Sequence, residues 1–361
     1  MEMSPFKYHG PLAPEEVHGR AALLTDLTER VTEHRVTALL GPRRFGKTSV
    51  LRRLAHDLTE VSTVAVDLFG VQTHADIALR LAAAMQEAVP EVRDPAYELS
   101  VAAGIDLGGI RAQLQLSPRR RPDTRLMYAE LVRMLVAVGQ RTPLLVVFDE
   151  FQSIAAVKGA TAVLRTELQH HYDRISLLFA GSAPSAMRDI FSRHDQPFFN
   201  QADLVTIAPL DAASVHTIVT GGFRSTGRDP GGVASLIFTL TAGHPQRMMR
   251  AADEVWRHTG PGEVADARWG AALTSLREAE SATLAATYAE LAGDEKKVLR
   301  VYANGGAIFG SAAERLELSA GGADHARQRL LADGKLRTDG SGEVVVTDPL
   351  LADWLRQTLP L

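Results

Sequence analysis

The residues Gly41-Pro42-Arg43-Arg44-Phe45-Gly46-Lys47-Thr48 set two glycines, a lysine and a hydroxyl at the spacing G-x-x-x-x-G-K-[ST], which suits the binding of phosphate. In such a loop backbone N–H groups converge on phosphate oxygens, and the partly positive start of the helix that follows adds to the attraction. Ser49 continues that helical turn. Lys47 would reach the β- and γ-phosphates as a point charge, and the Thr48 hydroxyl would coordinate magnesium. Far downstream, Leu144-Leu145-Val146-Val147-Phe148-Asp149-Glu150 closes an apolar run with two carboxylates. Asp149, delivered by a buried strand, would hold the magnesium through water. Glu150 is then placed to take a proton from an attacking water. The pair equips the chain for hydrolysis as well as binding. Another apolar run ends in Gly181-Ser182, so Ser182 is a candidate sensor of the γ-phosphate, its plainer use being to cap the helix that starts near Pro184.

Such groups need strands that end together. Runs at 36–40, 61–68, 144–148, 175–180 and 204–207 crowd β-branched and apolar residues between turn signals and read as buried strands. Helical patterns at 46–59, 75–89, 124–138, 160–172 and 185–191 alternate with them, which predicts a parallel sheet covered on both faces over residues 1–210. A β-hairpin around Gly108-Gly109, at 99–116, and the basic loop Arg119-Arg120-Arg121 that follows it read as an insertion at about 99–121. After Pro209 the texture becomes helical, with patterns at 212–223, 232–242, 245–258 and 265–285. Helices at 288–304, 312–316 and 324–333, then a hairpin at 335–346 centred on Asp339-Gly340, suggest a winged helix. The expected domains are therefore 1–210, 211–286 and 287–361.

Composition narrows the chemistry. With no cysteine among 361 residues, disulfides, thiolate metal sites and thiol nucleophiles are excluded, and a reducing, cytoplasmic setting is expected. The net charge of -4 leaves nucleic-acid contact to a local patch. No apolar run is long enough to span a bilayer. Neither G-x-S-x-G nor H-E-x-x-H occurs, and His170-His171 read as surface histidines on a helix. The lack of an N-K-x-D guanine reader favours adenine.

With these residues in hand, the sequence resembles the archaeal-type ATPases of the AAA+/STAND branch of P-loop NTPases, nearly end to end. The likeness begins at Ser4-Pro5-Phe6-Lys7-Tyr8 and Val17-His18-Gly19-Arg20, and runs through the phosphate loop, Asp149-Glu150-Phe151-Gln152, Gly181-Ser182 and Gly243-His244-Pro245. It closes at Asp348-Pro349-Leu350 and Trp354-Leu355. The resemblance implies an α/β P-loop core, a helical lid and a C-terminal winged helix. It implies that Val17 and Arg20 line an adenine pocket, although Ala21 stands where the family usually has an acid. It also implies that His244 and Pro245 sit in the lid near the nucleotide, with Arg247 or Arg250 as a lid cation. Relatives commonly carry a trans-acting arginine where this chain has Gln201, which leaves Arg188 or Arg193 as the substitute in any self-association.

The expectation is thus a magnesium-dependent ATPase switch that cycles between ATP and ADP, moves its lid and winged helix, and acts on a protein partner. The alternative is an ATP-regulated DNA reader of origin-recognition type, resting on Arg327, Arg329, Lys335 and Arg337 in the last helix and wing.

Overall fold

The computed structural model describes residues 3–89 and 123–361. The insertion expected at about 99–121, hairpin and basic loop together, lies outside these residues. The chain forms two compact units. One comprises Ala22–Gly41 and Val50–Ile207, the other Met1–Ala21, Pro42–Ser49 and Ala208–Leu361.

The first unit is built on parallel strands, because short β-branched and large apolar runs fill a sheet buried on both faces. They are β1 (Thr37–Leu40), β2 (Ser62–Asp67), β3 (Leu144–Asp149), β4 (Ile175–Gly181) and β5 (Asp203–Thr206), in the order β2-β3-β4-β1-β5. All are where the apolar runs placed them, within two residues. Central β1 and β4 are buried throughout, whereas edge strand β5 is mostly exposed. Leu40 pairs with Gly181 and Phe148 with Phe179, all in parallel register. Gly41, Asp149 and Gly181 therefore share the carboxyl edge of one sheet, where ligands of open α/β sheets bind.

Helices α1 (Ala21–Thr32), α2 (Lys47–Asp57), α3 (His74–Ala88), α4 (Thr124–Gly139), α5 (Ala160–Leu168) and α6 (Pro184–Ser192) intervene. The strand-and-helix reading left out α1, although its buried Leu27 and Val31 stand one turn apart. In contrast, α5 stops short of the expected residue 172. Gln169-His170-His171 offers the core no apolar side chain, and the two histidines lie in the turn before β4, where His171 N–H donates to the Leu168 carbonyl at 2.9 Å. A cluster of Phe148, Phe151, Phe179, Phe191 and Phe198, each ring within 4.4 to 6.0 Å of Phe151 or its neighbours, forms part of the core of this unit.

The second unit contains α7 (Ala212–Arg224), α8 (Val233–Thr241), α9 (Pro245–His258), α10 (Trp269–Ala289), α11 (Gly293–Ala303), α12 (Ser311–Arg315), α13 (Ala320–Ala332) and α14 (Pro349–Thr358). The antiparallel pair β6 (Leu336–Thr338) and β7 (Val344–Val346) precedes α14. Side-chain caps start several helices: Asp211 accepts from Ser214 N–H at 2.7 Å and Asp348 from Leu350 N–H at 3.1 Å. Helix α10 runs through the expected boundary at 286/287, since neither glycine nor proline interrupts residues 271–292. One buried cluster extends from Phe6 and Phe223 through Trp256 and Leu299 to Leu355, so the parts expected as lid and winged helix share a core. The turn of the β6–β7 pair is longer than a two-residue hairpin: Asp339 N–H donates to the Glu343 carbonyl at 2.8 Å, and Gly342 supplies φ 89°.

Candidate nucleotide site

The phosphate loop begins where β1 ends. A Cβ on Gly41 would stand 2.2 Å from Ile207 Cγ2, so glycine is a packing requirement there. Gly46 answers to a different need. A Cβ would meet nothing within 4 Å, but its φ is 86°, a conformation that glycine adopts without strain. Arg44 also takes a left-handed conformation, at φ 68°, and both its side chain and that of Arg43 are exposed. Helix α2 starts at Lys47, so its first turn follows directly on the curled loop. Lys47 is buried and its Nζ donates to the Pro42 carbonyl at 3.0 Å.

Several contacts hold this loop within its unit. Phe45 is buried, and its carbonyl accepts from Arg20 Nη2 at 3.3 Å while Arg20 Nη1 donates to the Ala208 carbonyl at 2.7 Å. Burial lowers the Arg20 pKa to about 10 against the opposing pull of Asp211, so it stays charged near neutrality. The Ser49 hydroxyl accepts from Leu12 N–H at 3.0 Å, and Val17 is buried. The Phe45 ring meets His244 edge-on at 4.8 Å. His244 caps α9, its Nδ1 accepting from Arg247 N–H at 3.4 Å, and Pro245 is the first helical residue. Burial pushes the His244 pKa down to about 4, with Asp348 opposing, so the imidazole is neutral at pH 7. Gly243, just before His244, packs against backbone: a Cβ would fall 1.9 Å from the Leu210 carbonyl oxygen.

Arg247 and Arg250, expected as lid cations, are bound elsewhere. Arg247 is held by Asp348 at 3.0 Å and by Glu280 at 2.7 Å, and Arg250 by Glu254 at 2.6 Å and Glu280 at 3.2 Å. Burial works against the Arg247 charge, but its two acidic partners raise the pKa above the usual value. These arginines tie α9 to α10 and to the start of α14.

The carboxylates belong to the sheet unit. Asp149 closes β3 and accepts from Glu150 N–H at 2.9 Å. Glu150 sits at φ 51°, the left-handed residue before a 3-10 turn over Phe151–Ala156. Its Oε2 accepts from the Ser182 hydroxyl at 2.6 Å and also from Gln152 Nε2. Ser182 therefore serves Glu150 and not α6, whose N-terminal residue Ala183 provides no side-chain cap. Sequence reasoning gave Gln152 no role beyond its place in a motif. Its position two residues after the carboxylate was the one available signal.

The remaining expectations separate. Arg193 pairs with Asp195 at 3.0 Å, Arg188 is exposed, and the Gln201 amide lies 2.8 Å from the Tyr172 hydroxyl. In the basic cluster, Arg327 pairs with Asp324, Arg329 with Glu295 and Lys335 with Asp333, at 2.6, 3.3 and 3.7 Å. Burial lowers the pKa of Arg337, with Asp339 opposing. Among the described residues no helix is long and apolar enough to cross a membrane.

A parallel sheet in this order, with a phosphate loop after β1 and paired carboxylates after β3, is the fold of an AAA+ P-loop NTPase. Residues 30–186 match the family model of the AAA domain. Over nearly its whole length the chain is similar to a Walker-type ATPase of Pyrococcus abyssi, with 18% identity, 98% of this chain and 99% of the other covered, and a TM-score of 0.76. It is also similar to the ORC2 protein of Aeropyrum pernix in its ADPNP–ADP complexes, with 16% identity, 98% and 95% covered, and a TM-score of 0.59. The resemblance to archaeal-type AAA+ ATPases read from the motifs is thus shown, and at these identities the structural likeness establishes the fold. No curated protein matches the sequence significantly.

Proposed function

We propose that this chain binds ATP and hydrolyses it with magnesium, using the nucleotide state to change its helical unit and so act on a protein partner. One observation carries the reading: Gly41, Asp149 and Gly181 end neighbouring or near-neighbouring parallel strands at one sheet edge, and the loop after Gly41 has the curl and helix start that bind phosphate. The donor set fits magnesium. Thr48 and Asp149 supply hard oxygens, and this ion commonly takes one or two protein ligands together with substrate phosphates. When bound, it would neutralise charge on the phosphates.

The protein residues divide the work. Lys47 and the loop amides hold the phosphates, Val17 and Arg20 border the base, and Glu150 takes the proton of the attacking water as the bond to the ADP oxygen breaks. His244 and Pro245 stand at the lid through Phe45. Ser182 acts at the γ-phosphate end by way of Glu150. Magnesium-dependent release of phosphate from ATP by the purified chain tests this. Hydrolysis should vanish on chelation and in Lys47→Ala, and undiminished turnover in Lys47→Ala would overturn it.

The DNA reading has less support. Three of its four cations already face acids, and residues 287–361 hold more acids than bases. Binding to duplex DNA that survives Arg329→Ala and Lys335→Ala but falls with salt would revive it at another surface. A protein-facing output of the AAA+/STAND type is therefore the reading we adopt, with the C-terminal helices and β6–β7 pair as a winged helix.

A further inference from the structure

We propose that Gln152 is a positioning residue for hydrolysis, holding the Glu150 carboxylate together with Ser182 in a space that Gly181 keeps open. This rests on the reading of Glu150 as the base. Three independent observations converge on it. First, one oxygen of Glu150 receives two donors, the Ser182 hydroxyl at 2.6 Å and the Gln152 amide, and the amide nitrogen also lies 3.4 Å from Ser182 Oγ. The three polar groups form a closed triangle, and Oε2 is their shared acceptor.

Second, the triangle depends on an absent side chain. A Cβ on Gly181 would lie 2.4 Å from Gln152 Oε1 and 2.4 Å from Met187 Cγ. Met187 is fully buried, so Gln152 would be the group to yield. Third, the amide faces Glu150 at a cost. Gln152 Oε1 is buried with no hydrogen-bond partner among the described residues, a penalty that native structures rarely carry without a purpose. The left-handed Glu150 at φ 51° is a further strained element over-determined by its neighbours. Phe151, between Glu150 and Gln152, is fully buried against Phe179 at 4.4 Å, so the turn carrying both side chains is anchored from below.

A carboxylate aimed by two donors loses little orientational freedom before it takes the proton. Gln152 touches neither nucleotide nor water in this account. It acts through Glu150.

The test combines steady-state hydrolysis with a spectroscopic signature. Gln152→Ala should lower kcat roughly tenfold, the scale of one hydrogen bond to a charged group, with KM for ATP unchanged. In the Glu150→Gln background the same substitution should cost nothing more. Independently of turnover, the Gln152 side-chain amide signals, assigned by their loss in Gln152→Leu, should shift in Glu150→Gln. Wild-type kcat in Gln152→Ala beside a crippled Glu150→Gln overturns the positioning role and leaves the base in place. Equal hydrolysis by wild type and Glu150→Gln overturns the base and the positioning role together. Amide signals indifferent to Glu150→Gln overturn the contact itself.

Discussion

The phosphate loop and the carboxylate edge reach their geometry by different means. The loop is shaped chiefly by backbone: a left-handed Arg44 and Gly46, a helix starting at Lys47, and the Phe45 carbonyl held by Arg20. The carboxylate edge is shaped by side chains, with Glu150 held by Ser182 from 32 positions away in sequence. Backbone geometry demands particular residues at fixed spacing, so it leaves a motif. Side-chain geometry demands only that distant strands end together, so the contact of Glu150 with Ser182 leaves no contiguous signature. Substitutions in the two regions should therefore fail differently, the first in binding and stability, the second in turnover.

The largest effect is expected at Gly243. Its Cβ would strike a backbone oxygen, which cannot rotate away, at a φ of 71°, and Gly243→Ala should cost more than about 4 kcal/mol, the range of severe backbone or packing defects. Gly46→Ala meets open space and should cost only about 1–2 kcal/mol. Urea unfolding of the two variants compares steric with purely conformational need. Equal losses would dissolve that distinction.

His244 gives the next effect, through pH. The native imidazole titrates near 4, whereas an unfolded histidine titrates near 6.5. Between these values the unfolded chain binds more protons, so stability falls as pH falls from about 6.5 and levels off below about 4. The contribution is on the order of 3 kcal/mol. The difference in unfolding free energy between wild type and His244→Asn should therefore shrink on acidification, and a constant difference would mean the ring is not buried neutral against Phe45.

Arg20→Lys should cost about 1–2 kcal/mol and weaken ATP binding. It keeps the charge but loses the fork that bridges the Phe45 and Ala208 carbonyls. Retained ATP affinity would show that the loop holds its own shape. The smallest signal is optical. Trp256, Trp269 and Trp354 all belong to the helical unit, so ATP should alter tryptophan emission by a modest amount, and an unchanged spectrum would count against nucleotide-driven movement there.

The same contrast explains what could be read from the sequence. Each strand of the sheet was legible because its apolar run is bounded by turn residues, and the phosphate loop because its glycines and lysine are contiguous. Pro245 was legible as a helix start. The length of α5 was not, because His170 and His171 neither favour nor forbid a helix and the turn is decided by where β4 must begin. The family resemblance offered Arg247 or Arg250 as a lid cation, and the approach of Glu280 and Asp348 shows them to be ties between helices. The Glu150–Gln152–Ser182 triangle was invisible for the reason already given, since it needs both the register of β3 on β4 and the bare Gly181.

The central claim is that phosphate binding and hydrolysis are carried by different regions. Equilibrium ATP binding and single-turnover hydrolysis, measured side by side on wild type, Lys47→Ala and Glu150→Gln, test it most directly. The account predicts that Lys47→Ala loses both, while Glu150→Gln binds ATP as tightly as wild type and hydrolyses it about a hundredfold or more slowly, the scale of a lost general base. Loss of binding in Glu150→Gln, or wild-type turnover in it, would contradict the division.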